Sequence, residues 1–246
     1  MSVVAVIPAA GSGSRLGRGS PKQYLPLAGM PVLARTLAVF DASTAIDDIV
    51  VVVPPGDESR CRETAVEPYG WKKIRAIVPG GAVRQESVAC GLAAVGADAA
   101  IVVVHDAARP LVTDDLIRRV VAAAAATGAA IAALPVVDTL KRRVGEKGLV
   151  TTVDREGLWT AQTPQAFRVG LLRDAVARAR ADGFVGTDDA SVVERLGLPV
   201  ALVEGEASNF KITRAEDLGR AEEILLHARD RASRPAALDR VGSRFS

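Results

Sequence analysis

The chain is poor in the residues that most often announce a partner. Aromatic side chains make up only 4% of its 246 positions, too few for the stacking platforms that hold single-stranded nucleic acid. Its formal net charge is +2, so no global basic field draws in nucleic acid or a membrane surface. The two cysteines, Cys61 and Cys90, have no metal-ligand spacing. They read as reduced thiols of a cytosolic protein, with Cys90 in the core face of a helix. No apolar run is long enough to span a bilayer, and the apolar start from Val3 to Ala10 lacks a basic leader. These absences predict a cytoplasmic protein that binds neither nucleic acid nor membrane.

Two nucleotide-binding signatures are also missing. GxxxxGK[ST] does not occur, which excludes a P-loop. A dinucleotide site needs GxGxxG, whereas this chain offers Gly11-x-Gly13 followed by Gly17, one residue too late. The second predicted strand, Ile49 to Val53, runs into Pro54-Pro55-Gly56 and supplies no acid to hold a ribose. A nicotinamide-dependent dehydrogenase therefore fits badly.

What is present is an ordinary globular composition, 49% apolar and 24% charged, in a length that suits one large α/β domain. Apolar, β-branched runs at Val3–Ile7, Ile49–Val53, Ile74–Val78, Ile101–His105 and Ala129–Pro135 predict strands. Helical patterns lie between them at Val32–Phe40, Glu58–Val66, Arg84–Val95 and Asp114–Ala126. Pro31 suits a first helical turn, and Thr113 suits a cap. The alternation predicts a mainly parallel sheet covered on both faces, with ligands outside the carboxyl ends of the strands. From Val136 to Trp159 the rhythm breaks into a polar hairpin that projects as a flap or an arm. Helices return at Val169–Ala181, Ala190–Leu196 and Ala215–Arg229, with one more strand at Pro199–Val203. The reading is a single domain over 1-229 with 136-159 as an arm, and a tail over 230-246 expected to be poorly ordered.

The loop after the first strand, Pro8-Ala9-Ala10-Gly11-Ser12-Gly13-Ser14-Arg15-Leu16-Gly17, leads to Pro21-Lys22-Gln23-Tyr24. Small residues let backbone N–H groups approach an anion. The glycines alone would make a turn as readily as a phosphate cradle. Arg15 and Lys22 tip the reading towards a triphosphate site. Of 31 basic residues only six are lysine, and Lys22 and Lys211 fall in candidate motifs, where a compact, mobile ammonium is useful. A second motif, His105-Asp106-Ala107-Ala108-Arg109-Pro110, follows the strand from Ile101. Asp106 suits a ribose hydroxyl or a metal, and Arg109 a phosphate. By itself this motif reads more readily as a turn shaped by an Asp106–Arg109 ion pair.

Those two motifs, together with Thr160-Ala161-Gln162-Thr163-Pro164-Gln165, Thr187-Asp188-Asp189-Ala190 and Asn209-Phe210-Lys211-Ile212-Thr213, resemble the 2-C-methyl-D-erythritol 4-phosphate cytidylyltransferase family. The resemblance runs from Pro8 to Thr213. It implies a Rossmann-like nucleotidyltransferase fold, of the nucleotide-diphospho-sugar transferase type, with a protruding β-arm that interlocks two subunits in a homodimer. The implied reaction joins CTP to methylerythritol phosphate in the non-mevalonate route to isoprenoid precursors. It releases pyrophosphate and uses a divalent metal, usually Mg2+. The implied catalytic residues are Arg15, Lys22 and Lys211. Nucleotide binding falls to Ala9, Ala10, Gly11, Gly13, Gly80, Gly81, Ala82, Ser87, Asp106 and Ala107. The acceptor is held by Asp106, Arg109, Thr187 and Lys211, with Thr139 and Arg155 from the neighbouring arm. The metal is bound mainly through the CTP phosphates, with Asp106 as its candidate protein ligand. Some relatives carry an acid at the position of Ala82, so here only its backbone is available.

The chemistry needs no general base. A phosphate monoester has its second pKa near about 6 and is mostly dianionic at neutral pH. That suits a chain with only His105 and His227, the first packed beside the site and the second on the surface. Two anions about 4 Å apart repel by several kcal/mol at intermediate dielectric, so catalysis rests on positioning and charge neutralisation. Arg84 is expected to cap or pair locally. Asp188 and Asp189 suit the positive end of a helix better than a metal pair. Arg155 could also be a surface cation paired with Asp154 or Glu156. The alternatives are a cytidylyltransferase for ribitol 5-phosphate or another polyol phosphate, and a non-catalytic nucleotide sensor.

Overall fold

The computed structural model describes residues 1–11, 21–145 and 148–233. The first strand, β1 (Ser2–Pro8), is followed by a short hairpin, β2 (Pro26–Leu27) and β3 (Met30–Pro31), and by α1 (Val32–Ala42). Next come β4 (Asp48–Val53), α2 (Glu58–Cys61), β5 (Ile74–Pro79), α3 (Arg84–Ala93), β6 (Ala99–Val104), α4 (Asp114–Thr127) and β7 (Ala129–Pro135). The arm is β8 (Leu140–Val144) and β9 (Leu149–Val153). The chain closes with β10 (Trp159–Arg168), α5 (Val169–Ala181), α6 (Asp189–Glu194), β11 (Ala201–Glu204) and α7 (Ala215–Ser233).

Seven strands form one sheet in the order β11-β7-β10-β6-β1-β4-β5. Four neighbouring pairs are parallel, and β10 runs antiparallel to both β6 and β7. The strands are apolar on both sides because both faces are covered. Alternate residues of β1 separate cleanly. Val3, Ala5 and Ile7 pack with α1, α2 and α4, whereas Val4 and Val6 pack with α3, α5 and α6. A third small cluster, built on Leu27, Leu111 and Ile212, seats α7.

Local chemistry sets the ends of these helices. Thr113 caps α4, its hydroxyl accepting from the Leu116 N–H at 3.2 Å, which is worth about 1 kcal/mol. Asp114 and Asp115 occupy the first turn of that helix and pair with Arg118 and Arg119 one turn on. Gly91 lets α3 lie close on the sheet: a Cβ there would come within 2.4 Å of Val6 Cγ1 and 2.8 Å of Val52 Cγ2. That contact fixes the height of α3, and so of the residues at its start.

The chain runs outward from β1 through β4 to β5, then returns to the other side of β1 as β6. A crevice opens where the direction of travel reverses, outside the carboxyl ends of the strands.

Several expectations are corrected. The Thr160–Gln165 motif, in a stretch where no strand was predicted, is itself part of a strand. It lies within β10, near the middle of the sheet, and its buried polar groups are paired. Gln162 Oε1 accepts from Asn209 Nδ2 at 3.1 Å, and Gln165 Nε2 donates to Asp188 Oδ2 at 2.8 Å. The predicted helix from Glu58 keeps α geometry only to Cys61 and then widens into a π-type turn through Val66. Cys61 is the fully buried thiol, and Cys90 is only half-buried. Burial pushes the Cys61 thiol up to about 12. The last helix extends past Arg229 to Ser233, and the rest of the expected tail lies outside the described residues.

Candidate active site

Three loop ends and one late segment enclose a cleft of about 360 Å3. Pro8 to Gly11 leave β1 along one wall, fixed by Ala9 N donating to the Val52 carbonyl at 2.6 Å. Lys22 and Gln23 return to the same wall. The turn after β5 brings Gly81, Ala82 and Ser87 to a second wall. Ser87 Oγ accepts from Gly81 N at 3.2 Å and donates to the Val83 carbonyl at 3.2 Å. A Cβ on Gly81 would sit 2.3 Å from the Glu86 Cβ, so only glycine makes this turn. The Ala82 N–H is already donated to Glu86 Oε2 at 2.7 Å, which leaves its carbonyl for a ligand. Asp106 and Ala107 follow β6, and Thr36 Oγ1 donates to the Ala107 carbonyl at 2.9 Å. Lys211 closes the far side.

The electrostatic centre is Asp106. Its carboxylate lies 2.7 Å from Lys211 Nζ, 3.1 Å from Arg84 Nε and 3.8 Å from Arg109 Nε. Burial pushes this carboxyl up, but the charges of Arg84, Lys211 and Arg109 outweigh burial and hold it well below the usual carboxylate range. The Asp106–Arg109 pair foreseen from the sequence is thus the longest of the three. Arg109 also donates from Nη1 to the Asn209 carbonyl at 2.7 Å.

His105 lies behind the site with no exposed surface. Its Nε2 donates to the Arg109 carbonyl at 3.1 Å, which leaves Nδ1 to accept from the Thr163 hydroxyl at 3.1 Å. That hydroxyl in turn accepts from the Asp106 N–H at 3.1 Å. Burial pushes the imidazole down to about 4, so it stays neutral near neutral pH. It anchors the Asp106 backbone and moves no proton. His227 is exposed on α7.

Ala9, Ala10, Gly11, Lys22, Gly81, Ala82, Ser87, Asp106, Ala107 and Lys211 all line this one cleft. Gly13 and Arg15 lie outside the described residues. Thr187 is exposed on the turn before α6. Thr139 and Arg155 are exposed on the arm, away from the cleft of their own chain. The Arg155 guanidinium donates to the Val137 carbonyl, and Asp154, one of the two acids named for its surface-cation reading, accepts from the Glu156 N–H.

Two residues were missed. Arg84 makes no local pair: it donates to Asp106 and, from Nη2, to Asp189 Oδ2 at 2.7 Å. Asp188 does serve the helix end, accepting from Ser191 N in a reciprocal cap. Asp189 lies in the first turn of the same helix, as expected, and in addition accepts from Arg84. Burial and the neighbouring Asp106 and Asp188 carboxylates push Asp189 up against the pull of that guanidinium. Gln23 is the second residue. It is 2% exposed, lines the cleft, and neither polar atom of its amide has a partner among the described residues. Its place beside Lys22 was the only signal available in the sequence.

Comparison with known proteins places the chain in one lineage. The family model described as "IspD: 2-C-methyl-D-erythritol 4-phosphate cytidylyltransferase" matches residues 3–227. The cytidylyltransferase of that name from Geobacter metallireducens is 49% identical over 229 residues, covering 92% of this chain and 98% of the relative. The one from Pelotomaculum thermopropionicum is 50% identical over 223 residues, covering 91% and 94%. The crystal structure of the Thermus thermophilus protein of the same name superposes with a TM-score of 0.75 at 42% identity, covering 91% of this chain and 98% of the other. Sequence and fold agree, and the chain belongs to the 2-C-methyl-D-erythritol 4-phosphate cytidylyltransferase family.

Proposed function

We propose that the cleft at the ends of β1, β5 and β6 carries out the family's reaction. CMP passes from CTP to 2-C-methyl-D-erythritol 4-phosphate, giving the diphosphocytidyl product and pyrophosphate, in the non-mevalonate pathway. The observation that carries the assignment is the convergence of Lys22, Lys211 and Asp106 on one cleft, beside a turn of small residues. An oxygen of the acceptor phosphate attacks the α-phosphorus of CTP. The new P–O bond forms as the bond to the β-phosphate breaks, and pyrophosphate leaves with its electron pair. No proton transfer is needed, in keeping with a buried neutral His105. Lys22 neutralises charge growing on the leaving side. Lys211, drawn from Asp106 by the phosphates, meets the α-phosphate and the incoming phosphate. Arg15 joins Lys22 in this role, and Gly13 joins the phosphate loop. The backbones of Ala9, Ala10 and Gly81 to Ala82, with Ser87, read the cytosine edge and leave little room for a purine.

The residues present fit a divalent cation held chiefly by the nucleotide. Asp106 is the one acid lining the cleft, and no group of three or more His, Cys, Asp or Glu residues among those described could hold a metal. Magnesium is commonly bound in this way, through phosphates, waters and one or two carboxylates. When bound it would neutralise triphosphate charge.

The acceptor half is completed by Arg109 and Thr187, and by Thr139 and Arg155 from a second copy. The arm supports this reading: Val137, Leu149 and Val150 are 73%, 66% and 58% exposed, apolar side chains that a homodimer contact would bury. Residues 1-229 then work as one domain with 136-159 as its dimerisation arm. Two free cysteines suit a reducing cytoplasm.

Pyrophosphate release from CTP with Mg2+ tests the reading, with methylerythritol 4-phosphate and ribitol 5-phosphate compared as acceptors. Fast release with the former alone is expected. Release with the latter alone would overturn the acceptor half, and silence with both would leave a nucleotide sensor.

A further inference from the structure

Arg84 opens α3 directly after the base-side turn, yet both of its partners belong to other parts of the chain. Nε donates to Asp106 Oδ1 at 3.1 Å and Nη2 to Asp189 Oδ2 at 2.7 Å. Both carboxylates are buried, at 7% and 4% exposure. A lone buried carboxylate is costly, and one guanidinium serves two here because its planar fork presents separate N–H groups. An ammonium could reach one or the other.

The next residue points the same way. Gln85 Nε2 donates to the Phe184 carbonyl at 3.0 Å, and its Oε1 accepts from Gly186 N at 2.8 Å. The first turn of α3 therefore holds the whole segment from Phe184 to Asp189, and Thr187 lies within it. The helix that follows, α6, spans only Asp189–Glu194 and is too short to place that turn unaided.

We propose that Arg84 is a positioning residue for the acceptor. It clamps the Asp106 carboxylate on one side and the turn bearing Thr187 on the other, so the acceptor's two holding points keep a fixed separation. This inference rests on the proposed assignment of the cleft's acceptor half. Nucleotide contacts come from the turn before Arg84, which Ser87 and Glu86 brace independently. Loss of the clamp should therefore fall mainly on the acceptor, with only a small effect passed to CTP through the shared Asp106.

The test is steady-state kinetics on the full chain for Arg84→Lys, Asp189→Asn and the double variant, with melting curves to establish folding. Arg84→Lys should raise the KM for methylerythritol 4-phosphate at least tenfold while the KM for CTP stays within about threefold. Asp189→Asn should show the same split more weakly, and remains informative should Arg84→Lys fail to fold. The double variant should be no worse than Arg84→Lys alone, because both remove one bridge. An unchanged acceptor KM, an equal rise in both KM values, or multiplying effects in the double variant would overturn the inference while an active wild type preserves the assignment of the cleft. A wild type silent with this substrate pair would overturn both.

Discussion

Replacing Asp106 with Asn tests whether the site is held together by one negative charge. The carboxylate sits within 3.8 Å of three cations and is only 7% exposed. At an effective dielectric of about 20, a pair of unit charges about 4 Å apart is worth about 4 kcal/mol. Arg84 and Lys211 pull hardest and Arg109, at 3.8 Å, least, although water screens part of the Lys211 contribution because its side chain is 36% exposed. The desolvation of Asp106 takes back several kcal/mol, and breaking a buried pair typically costs about 3–5 kcal/mol net. Asp106→Asn keeps the shape and removes the charge, leaving Arg84, Arg109 and Lys211 facing one another. We expect a loss of about 3–5 kcal/mol, a large share of a marginal total of about 5–15 kcal/mol. For a chain of this size that is a drop of roughly 6–20 °C in Tm. The same three cations should then welcome an anion. Inorganic pyrophosphate at about 100 times its Kd should restore about 2.7 kcal/mol. The assay is a melting curve in low-salt, phosphate-free buffer with and without pyrophosphate, alongside turnover, which should be lost in either case. A Tm within about 2 °C of the wild type, or a drop that pyrophosphate leaves untouched, would refute the reasoning.

Other consequences can be checked separately. Gln23→Met removes an amide whose unpaired atoms cost about 1–3 kcal/mol, so the free protein should gain stability while the KM for CTP rises about tenfold; unchanged values of both would leave Gln23 without a ligand role. The Cys61 thiol is pushed up to about 12 by burial, against an ordinary value of about 8.5–9. Above that value the unfolded chain releases a proton that the native chain keeps, so stability falls as pH rises, by about 2 kcal/mol between pH 9 and about 10.5. Cys61→Ala should flatten that slope, and an identical slope in denaturant titrations would sink the prediction. Lys22→Ala should lower turnover by about 10²–10³-fold with CTP affinity little changed, the range seen on losing one positioned donor; near-wild-type turnover would remove Lys22 from the mechanism. Mixing inactive Lys22→Ala with inactive Arg155→Ala chains should recover activity through hybrid sites, and failure despite demonstrated subunit exchange would count against a shared site.

The parts of the fold legible in the sequence are those whose chemistry is local. The strands around β1 announce themselves as β-branched runs because both of their faces are buried. Thr113 and Asp188 sit where a helix must satisfy its own N–H groups. The cleft loops were legible because strand ends carrying small residues and cations have few other uses. By contrast β10 was hidden, since Gln162, Thr163 and Gln165 are polar and the partners that make their burial tolerable, Asn209, His105 and Asp188, come from distant segments. Arg84 was misread for the same reason. Its bonds span 22 and 105 residues, beyond any local pattern. Gln23 went unnoticed because an amide without partners leaves no trace in a sequence.

The arm has a consequence for how such a protein can change. Its two roots, Pro135 and Trp159, face each other as paired residues of β7 and β10. Everything between them is an excursion from a closed seam, and the sheet loses no pairing by carrying it. The excursion can therefore be lengthened, shortened or re-sequenced while every cleft residue keeps its register, and on the proposed reading of the arm such changes would alter the dimer contact alone. The strand beneath has no such freedom. A slip of one residue in β10 would turn Thr163 and Gln165 to the opposite face, taking away the supports of Asp106 and of the turn bearing Thr187. The part of the chain open to drift and the part pinned by the sheet are divided at a single pair of residues.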